Sequence, residues 1–395
     1  MIPALYPHLT WSDFTAFACI GKDRSAAFSN KLNEKFKAKY SLTYSSGRAG
    51  IYHILKANNI QNKLVLVTAY TCSVVAEAIV QSGNTPVFVD MKKESFNAEI
   101  SGAQIKKYNS NLGAVIVTNL YGITDFSNLD FLKKDRKFLV ILDNALSPGH
   151  VPHRTAGIYD YIEISCGVRK PFSCLGGGVV FTDDEVRFKI LKDYTLKNRT
   201  VMQPWENLKK YFLCFLFFFA FRPVLYSFTS FVRRKTALLN AFFSERHHDI
   251  HQERPEYFED MGDFQKRIGL NQLEKFDSLL KRRRETGNIY YKLLSPRFAW
   301  VKNYWKTDTP YSHIPFLHPD RDKLEKYLLK NGIDVERYFD YVVPELAQYN
   351  VKEKFPNAKH ISEQIINLPV NAGLNEKSIS KIVDNISRFD ASLNK

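Results

Sequence analysis

Residues 138–143, FLVILD, and residues 159–182, YDYIEISCGVRKPFSCLGGGVVFT, decide how the rest of the chain is read. The first is an apolar run ending on a carboxylate, Asp143. The second is an apolar run reaching Ser165, followed by a loop that carries Lys170, three glycines (Gly176, Gly177, Gly178) and another apolar run. Strands covered by helices on both faces read as near-continuous Val/Ile/Leu stretches, so these segments are expected to be strands of a mostly parallel sheet. Working outward, LVLVT at 64–68, PVFV at 86–89 and GAVIVTN at 113–119 repeat the pattern, with helical periodicity between them. Repeated strand and helix units give an α/β layered domain, whose ligands are expected at the carboxyl ends of the strands.

Towards the C-terminus the pattern changes. LNQLEKFDSLLKRRRETGNIYYKLL (270–294) reads as one long helix, with Lys281-Arg282-Arg283-Arg284 expected on a solvated face. HIPFLH (313–318) reads as a strand, DRDKLEKYLLKNG (320–332) as a helix with a glycine stop, and LNEKSISKIVDNISRF (374–389) as a terminal helix. The expected organisation is a large domain over residues 20–205, a hydrophobic and basic insertion over 206–254, and a smaller α/β domain over 255–395 with which residues 1–19 pack. At 395 residues, the chain needs neither disulfides nor a structural metal to support such a core.

Composition narrows the partners. A net charge of +15 suits an anionic partner: nucleic acid, an acidic membrane surface or a phosphorylated small molecule. No zinc-finger, RRM-like or other nucleic-acid motif is present, so nucleic acid is set aside. The 5 cysteines are widely spaced, without metal-ligand or disulfide spacing, and the N-terminal residues lack the pattern of a secretion signal, so a cytoplasmic protein without a metal is expected. The insertion contains YFLCFLFFFAFRPVLYSFTSFV at 211–232, preceded by Lys209-Lys210 and followed by Arg233-Arg234-Lys235. Arg222-Pro223 interrupts it well short of a span, so a bent amphipathic segment on one leaflet, or a surface buried in a dimer, is expected.

The strand ends supply a consistent chemistry. A primary amine on a loop (Lys170), a carboxylate at the preceding strand end (Asp143) and a hydroxyl five residues before the amine (Ser165) are what pyridoxal 5'-phosphate (PLP) requires: a covalent anchor, a partner for its pyridine nitrogen and a phosphate ligand. Burial and the neighbouring Arg169 are expected to favour the free amine of Lys170. YSSGRAGIYHILKA (44–57) places Ser46, Gly47 and Arg48 at a helix start, where backbone N–H groups bind anions. VLVTAYTCSVVAEAI (65–79) ends a strand at Tyr70-Thr71-Cys72, from which a side chain can cover the cofactor ring. Taken singly, each of these has an ordinary alternative: a helix cap for Asp143, a basic turn for Lys170 and a common Ser-Gly helix start.

In order and spacing these pieces resemble the DegT-type sugar-nucleotide aminotransferases, a branch of the fold-type I PLP enzymes. The resemblance rests on SSGRAGIYHIL (45–55), VTAYTCSVVAEAIVQSGNTPVFVDM (67–91), AVIVTNLYG (114–122), ILDNA (141–145) and ISCGVRKPFSCLGGGVVFT (164–182). It resumes at IGLNQLEKFD (268–277) and FPNAKHISEQIINLPVNAGLNEKSISKIV (355–383). It implies a large domain with a mixed, mostly parallel sheet between helices, a smaller C-terminal α/β domain, and a homodimer with shared active sites. It also implies that Lys170 carries the cofactor, Asp143 meets its ring nitrogen, Ser165 binds its phosphate, and Ser46, Gly47 and Arg48 form the phosphate-binding helix start. Tyr70 or Cys72 is then the residue over the ring. The implied reaction moves an amino group from an amino-acid donor, glutamate first among them, to a keto-sugar on a nucleotide or lipid carrier in the biosynthesis of cell-surface glycans such as lipopolysaccharide. Apart from the resemblance, the aromatic apolar surface and basic flanks of residues 211–232 put the expected place in the cytoplasm, peripherally on the inner face of the cell membrane.

Some positions depart from the pattern. Cys72 stands where an aromatic residue usually covers the ring, Leu146 where Gln or His follows the aspartate, and Phe258 and Asp260 where an Asn and an Arg are usual. That Asn normally reaches the partner subunit's phosphate, and Arg48, where Thr is more common, is the candidate replacement. Two alternatives stay open: a PLP-dependent sugar dehydratase, against which Lys170 speaks because that branch has histidine there, and a catalytically degenerate membrane-associated member.

Overall fold

The computed structural model describes residues 1–4, 8–14, 24–108, 110–123, 127–133, 136–149, 157–200, 204–220, 225–228, 250–349, 351–371 and 373–393. The strands are β1 (Tyr40–Tyr44), β2 (Leu64–Thr68), β3 (Thr85–Val89), β4 (Leu112–Thr118), β5 (Leu139–Asp143), β6 (Tyr161–Ser165) and β7 (Gly178–Thr182) in one sheet, and β8 (Ile314–Leu317) and β9 (Ile365–Leu368) in another. The main sheet has the order β1-β7-β6-β5-β4-β2-β3. Its strands from β3 to β6 run parallel, while β7 is antiparallel to both β6 and β1. It is a mixed, mostly parallel sheet of the fold-type I kind.

The α-helices longer than one turn among the described residues are α1 (Ser25–Phe36), α2 (Gly47–Ala57), α3 (Ser73–Gln81), α4 (Gly102–Tyr108), α5 (Glu185–Asn198), α6 (Pro204–Ala220), α7 (Asp263–Leu294), α8 (Arg321–Lys330), α9 (Pro356–Gln364) and α10 (Glu376–Leu393). Local chemistry sets their ends. Ser46 caps α2 by accepting from the Ala49 N–H at 3.3 Å, and Asp184 caps α5 by accepting from Val186 and Arg187 at 2.9 and 3.1 Å. On one face of the main sheet, Leu66, Val115, Val117, Val140 and Leu142 pack into an aliphatic cluster. On the other, Val65, Val67, Ile116 and Ile141 join a core that continues into the C-terminal unit through Tyr290, Phe316 and Ile366. The strand ends of the sheet are thereby fixed against the second unit.

Residues 1–4 run along the C-terminal unit, where the Ile2 N–H donates to Gly332 O at 2.7 Å and the Asp334 N–H donates to Ile2 O at 2.9 Å. Helix α6 packs Phe218 against Leu9, Phe264 and Ile268, with Tyr211, Phe215 and Phe219 beside them. Its other face presents Trp205, Leu208, Phe212 and Leu216 to solvent. Among the described residues, no helix is long and apolar enough to cross a membrane. Arg222-Pro223 and Arg233-Arg234-Lys235, to which the bend and the second basic flank were assigned, lie outside the described residues.

One charged group is not where its sequence suggests. Arg283 turns inward from the basic run of α7 and donates to the carbonyls of Tyr311 and Ser312, both at 2.9 Å. Burial pushes its guanidinium down to about 10. The expected solvated face therefore does not extend to Arg283, because two carbonyls of the adjoining loop need a donor there.

Candidate active site

The carboxyl ends of β2, β5 and β6, the start of α2 and the segment Arg337–Tyr341 enclose a cleft of about 670 Å³. Asp143, at the end of β5, is buried, and its Oδ1 accepts from the Ala145 N–H at 3.1 Å. Burial pushes its carboxyl above the ordinary range, against the Ala145 hydrogen bond and the charge of Lys170. Strand β6 lies in parallel register, with Glu163 opposite Asp143. Ser165 follows two residues later on the same face and lines the cleft.

Lys170 sits in the turn after β6, where its N–H donates to Gly167 O at 3.0 Å. Its Nζ donates to the Tyr338 hydroxyl at 3.1 Å and lies 5.4 Å from that ring's centroid. Burial disfavours the Lys170 ammonium, but the Tyr338 phenol, Cys72 and Asp143 outweigh it and hold the group above the ordinary lysine range. This corrects the expectation that burial and Arg169 free the amine: anionic and phenolic neighbours dominate. A Cβ on Gly167 would lie 3.6 Å from Ser165 Oγ and 3.7 Å from Lys170 Cγ, so hydroxyl and lysine flank one small residue.

The anion end is built from backbone. Ser46 and Gly177 form an isolated bridge, and a Cβ on Gly178 would stand 2.4 Å from the Gly47 nitrogen. The glycine loop can therefore lie directly on the first turn of α2. Arg48 lines the cleft and pairs with Glu77 of α3 at 3.7 Å. Glu77 is also held by Arg254.

Not every candidate reaches the cleft. Cys72 lines it, but Tyr70 does not. The Tyr70 ring is fully buried, its hydroxyl lies 3.1 Å from the Tyr121 hydroxyl, and it donates to Tyr338 O at 3.3 Å. Tyr70 is therefore a support beneath Tyr338 instead of a cover for a ring in the cleft. Leu146 lines the wall beside Ala145. Phe258 packs edge-on to Tyr52, with ring centroids 5.8 Å apart. Asp260 ties Thr43, Arg199 and Lys266 together at 2.6, 3.0 and 2.9 Å, so its departure from the usual Arg has a structural use.

Sequence reading missed two cleft groups. Tyr338 stands 168 residues from Lys170 and carries no local signal. Its backbone is clamped: its N–H donates to Asn367 Oδ1 at 2.7 Å, and its carbonyl accepts from Tyr70 and Tyr121 at 3.3 and 3.4 Å. The ring lies 4.3 Å from that of His313, which burial keeps well below the ordinary histidine range. Glu163 is the other. Its apolar run marks it as a strand residue, and only the register shows that it faces Asp143.

The donor set fits PLP: a helix N-terminus and a hydroxyl for the phosphate, an amine in the middle, and a buried carboxylate for the ring nitrogen. The glycine loop keeps the anion end free of side chains.

Comparison with known proteins agrees with this chemistry. The chain is 25% identical over 372 residues to the GDP-perosamine synthase of Escherichia coli O157:H7, covering 92% of this chain and 89% of the other. It superimposes on PseC of Helicobacter pylori, an aminotransferase involved in the biosynthesis of pseudoaminic acid, with a TM-score of 0.72, 19% identity and 98% of each chain covered. The PLP form of Spr1654 from Streptococcus pneumoniae gives a TM-score of 0.70 at 18% identity, covering 97% of each chain. The DegT/DnrJ/EryC1/StrS aminotransferase family matches residues 16–214 and 233–387. With nearly its whole length matched, the chain belongs to the DegT/DnrJ/EryC1/StrS aminotransferase family and is a PLP-dependent aminotransferase.

Proposed function

We propose that the chain moves an amino group from an amino acid, glutamate in the first instance, to a keto group of a nucleotide-activated or lipid-linked sugar destined for a cell-surface glycan. The observation that carries this reading is the convergence of Lys170, Asp143 and Ser165 on one cleft, closed from the second unit by Tyr338. The names of the related perosamine synthase and of PseC support a sugar as acceptor.

Each residue has a part in the proposal. Lys170 would hold the cofactor covalently, and its Nζ is placed to take up and return the proton that the substrate gives up. Asp143 would accept a hydrogen bond from the ring nitrogen and hold it protonated. Ser165, Ser46, Gly47 and Arg48 hold the phosphate, the last steadied by Glu77. Tyr338 hydrogen-bonds the Lys170 amine and fixes its direction. Cys72 and Leu146 line the wall with a thiol and an aliphatic chain in place of a ring-stacking aromatic and a Gln or His. PLP, when bound, supplies an electron sink for the negative charge that develops as the substrate loses its α-proton.

Domain limits of 20–205, 206–254 and 255–395 belong to the same proposal, as do a homodimer with shared active sites and a cytoplasmic, membrane-peripheral place. The exposed Trp205, Leu208, Phe212 and Leu216 on α6, with Lys209 beside them, support the membrane surface.

The test is a titration of the purified chain with PLP, then glutamate, then candidate 4-keto sugar nucleotides, followed by absorbance and product mass. The wild type takes up PLP in a form that borohydride fixes to Lys170, glutamate bleaches it, and the acceptor restores it. Lys170→Ala loses both the borohydride product and turnover, by at least about a thousandfold. A wild type that binds no PLP at saturating concentration rejects the reading, and a product that has lost water without gaining nitrogen points to the dehydratase.

A further inference from the structure

The pyridine-nitrogen partner is not a lone carboxylate. Asp143 and Glu163 are opposite one another on adjacent parallel strands, so their side chains leave the same face of the sheet. The register sets the two carboxyl groups side by side, each an electrostatic neighbour of the other. Glu163 is 1% exposed, and its Oε1 is buried without a donor to satisfy it. No arginine or lysine forms an ion pair with Glu163 among the described residues. Helix α2 closes it from above: a Cβ on Gly47 would come within 1.9 Å of Glu163 Oε1, so glycine at that position makes room for the carboxyl. A buried carboxylate without donors costs several kcal/mol, and two of them side by side cannot both stay ionised.

We propose that Glu163 is a positioning residue for Asp143: a neutral carboxylic acid that donates its proton to the Asp143 carboxylate and fixes Asp143 as the ionised member of the pair. This rests on the reading of Asp143 as the ring-nitrogen partner. One proton is then shared by two carboxyls, and Asp143, which lines the cleft, keeps the charge that the cofactor's ring nitrogen would meet. The arrangement also answers the orphaned oxygen on Glu163, since a carboxylic acid needs fewer donors than a carboxylate.

The groups facing the pair agree with a single shared proton. Burial pushes Glu163 well up, the Asp143 charge adds to the shift, Lys170 opposes it, and Cys166 at the end of β6 adds to it. Asp143 is raised as well, with the Ala145 N–H and Lys170 drawing it back. The Ala145 N–H at 3.1 Å gives Asp143 a donor that Glu163 Oε1 lacks, so Glu163 keeps the proton and Asp143 the charge.

The sign of the pH effect follows. Above the unfolded glutamate range the folded chain binds a proton that the unfolded chain has released, so this pair makes stability fall as pH rises. The full chain, wild type and Glu163→Gln, is unfolded thermally without cofactor from pH 5 to pH 8. Relative to the variant, the wild-type midpoint falls by about 1–2 °C per pH unit, because glutamine has no proton to lose. Asp143→Asn/Glu163→Gln behaves as Glu163→Gln does. Parallel wild-type and Glu163→Gln profiles overturn the shared proton.

A second measurement reads the positioning role. Glutamine still donates a hydrogen bond to Asp143, so Glu163→Gln binds PLP within about threefold of wild type and keeps the pH midpoint of its absorbance change. Glu163→Ala lacks that donor, binds PLP at least about tenfold more weakly and shifts the midpoint. Equal PLP affinity and equal midpoints for wild type and Glu163→Ala overturn it. Failure of the wild type to bind PLP would remove the positioning role together with the cofactor reading, while the unfolding profiles, recorded without cofactor, still decide the shared proton.

Discussion

Tyr338 and Lys170 show how one distant contact sets the chemistry of an otherwise recognisable residue. The phenol accepts from the amine at 3.1 Å and, with Cys72 and Asp143, raises the Lys170 ammonium above its ordinary range against the opposing effect of burial. Tyr338→Phe keeps the ring and its packing on His313 and Phe339 but loses the oxygen. The Lys170 amine then loses its proton at lower pH, so the rate at which cofactor-free chain captures added PLP rises at lower pH than in wild type. Turnover moves the other way, falling by about 10–100-fold, because the released amine is no longer directed. A pH–rate profile for PLP capture that coincides with the wild type would show that Tyr338 does not act on Lys170. That Lys170, Asp143 and Ser165 meet at one cleft is legible in sequence because strand ends and loop order are local properties. Tyr338 was not, because nothing near it in the chain records the clamp made by Asn367, Tyr70 and Tyr121. Tyr70 was misread for the converse reason: its place after β2 is visible in sequence, but the direction of its side chain is decided by Tyr121.

At the scale of elements, apolar runs located β2, β4, β5, β6 and β7 to within one or two residues, because strands buried on both faces need unbroken apolar sequence. Strand β1 escaped notice. Its sequence, YSLTY, alternates polar and apolar residues, and its strand character comes from antiparallel pairing with β7. Helix α6 shows the same limit differently. Its composition announces an apolar segment, but only packing reveals that Phe218 faces inward onto Leu9, Phe264 and Ile268 while Leu208, Phe212 and Leu216 face outward at four-residue spacing. Leu208→Ser, Phe212→Ser and Leu216→Ser together change only exposed positions, so the unfolding midpoint stays near that of wild type. The expected result is a shift from the membrane pellet to the supernatant on cell fractionation, with wild type released in part by high salt. An unchanged distribution would leave the stripe without a membrane role.

At the scale of the whole molecule, the cleft is walled by both units: strand ends and α2 from one, Arg337–Tyr341 from the other. The core beneath it is continuous, running from Val65 and Ile141 through Tyr290 to Phe316 and Ile366. A ligand that binds only the folded state stabilises whatever unfolds with its site, by about 2.7 kcal/mol at a hundred times its Kd. PLP is therefore expected to move a single calorimetric transition upward as a whole. Two transitions, of which only one responds, would mean that the Lys170–Tyr338 contact and the shared core do not couple the units. The proposed homodimer makes an independent demand on the same scans. If each site is completed by a partner copy, unfolding dissociates the dimer, and the midpoint at constant PLP saturation rises with protein concentration. A midpoint that stays fixed over a hundredfold range of concentration would instead assign the complete site to one chain, leaving Arg48, steadied by Glu77, to meet the phosphate without help from a partner.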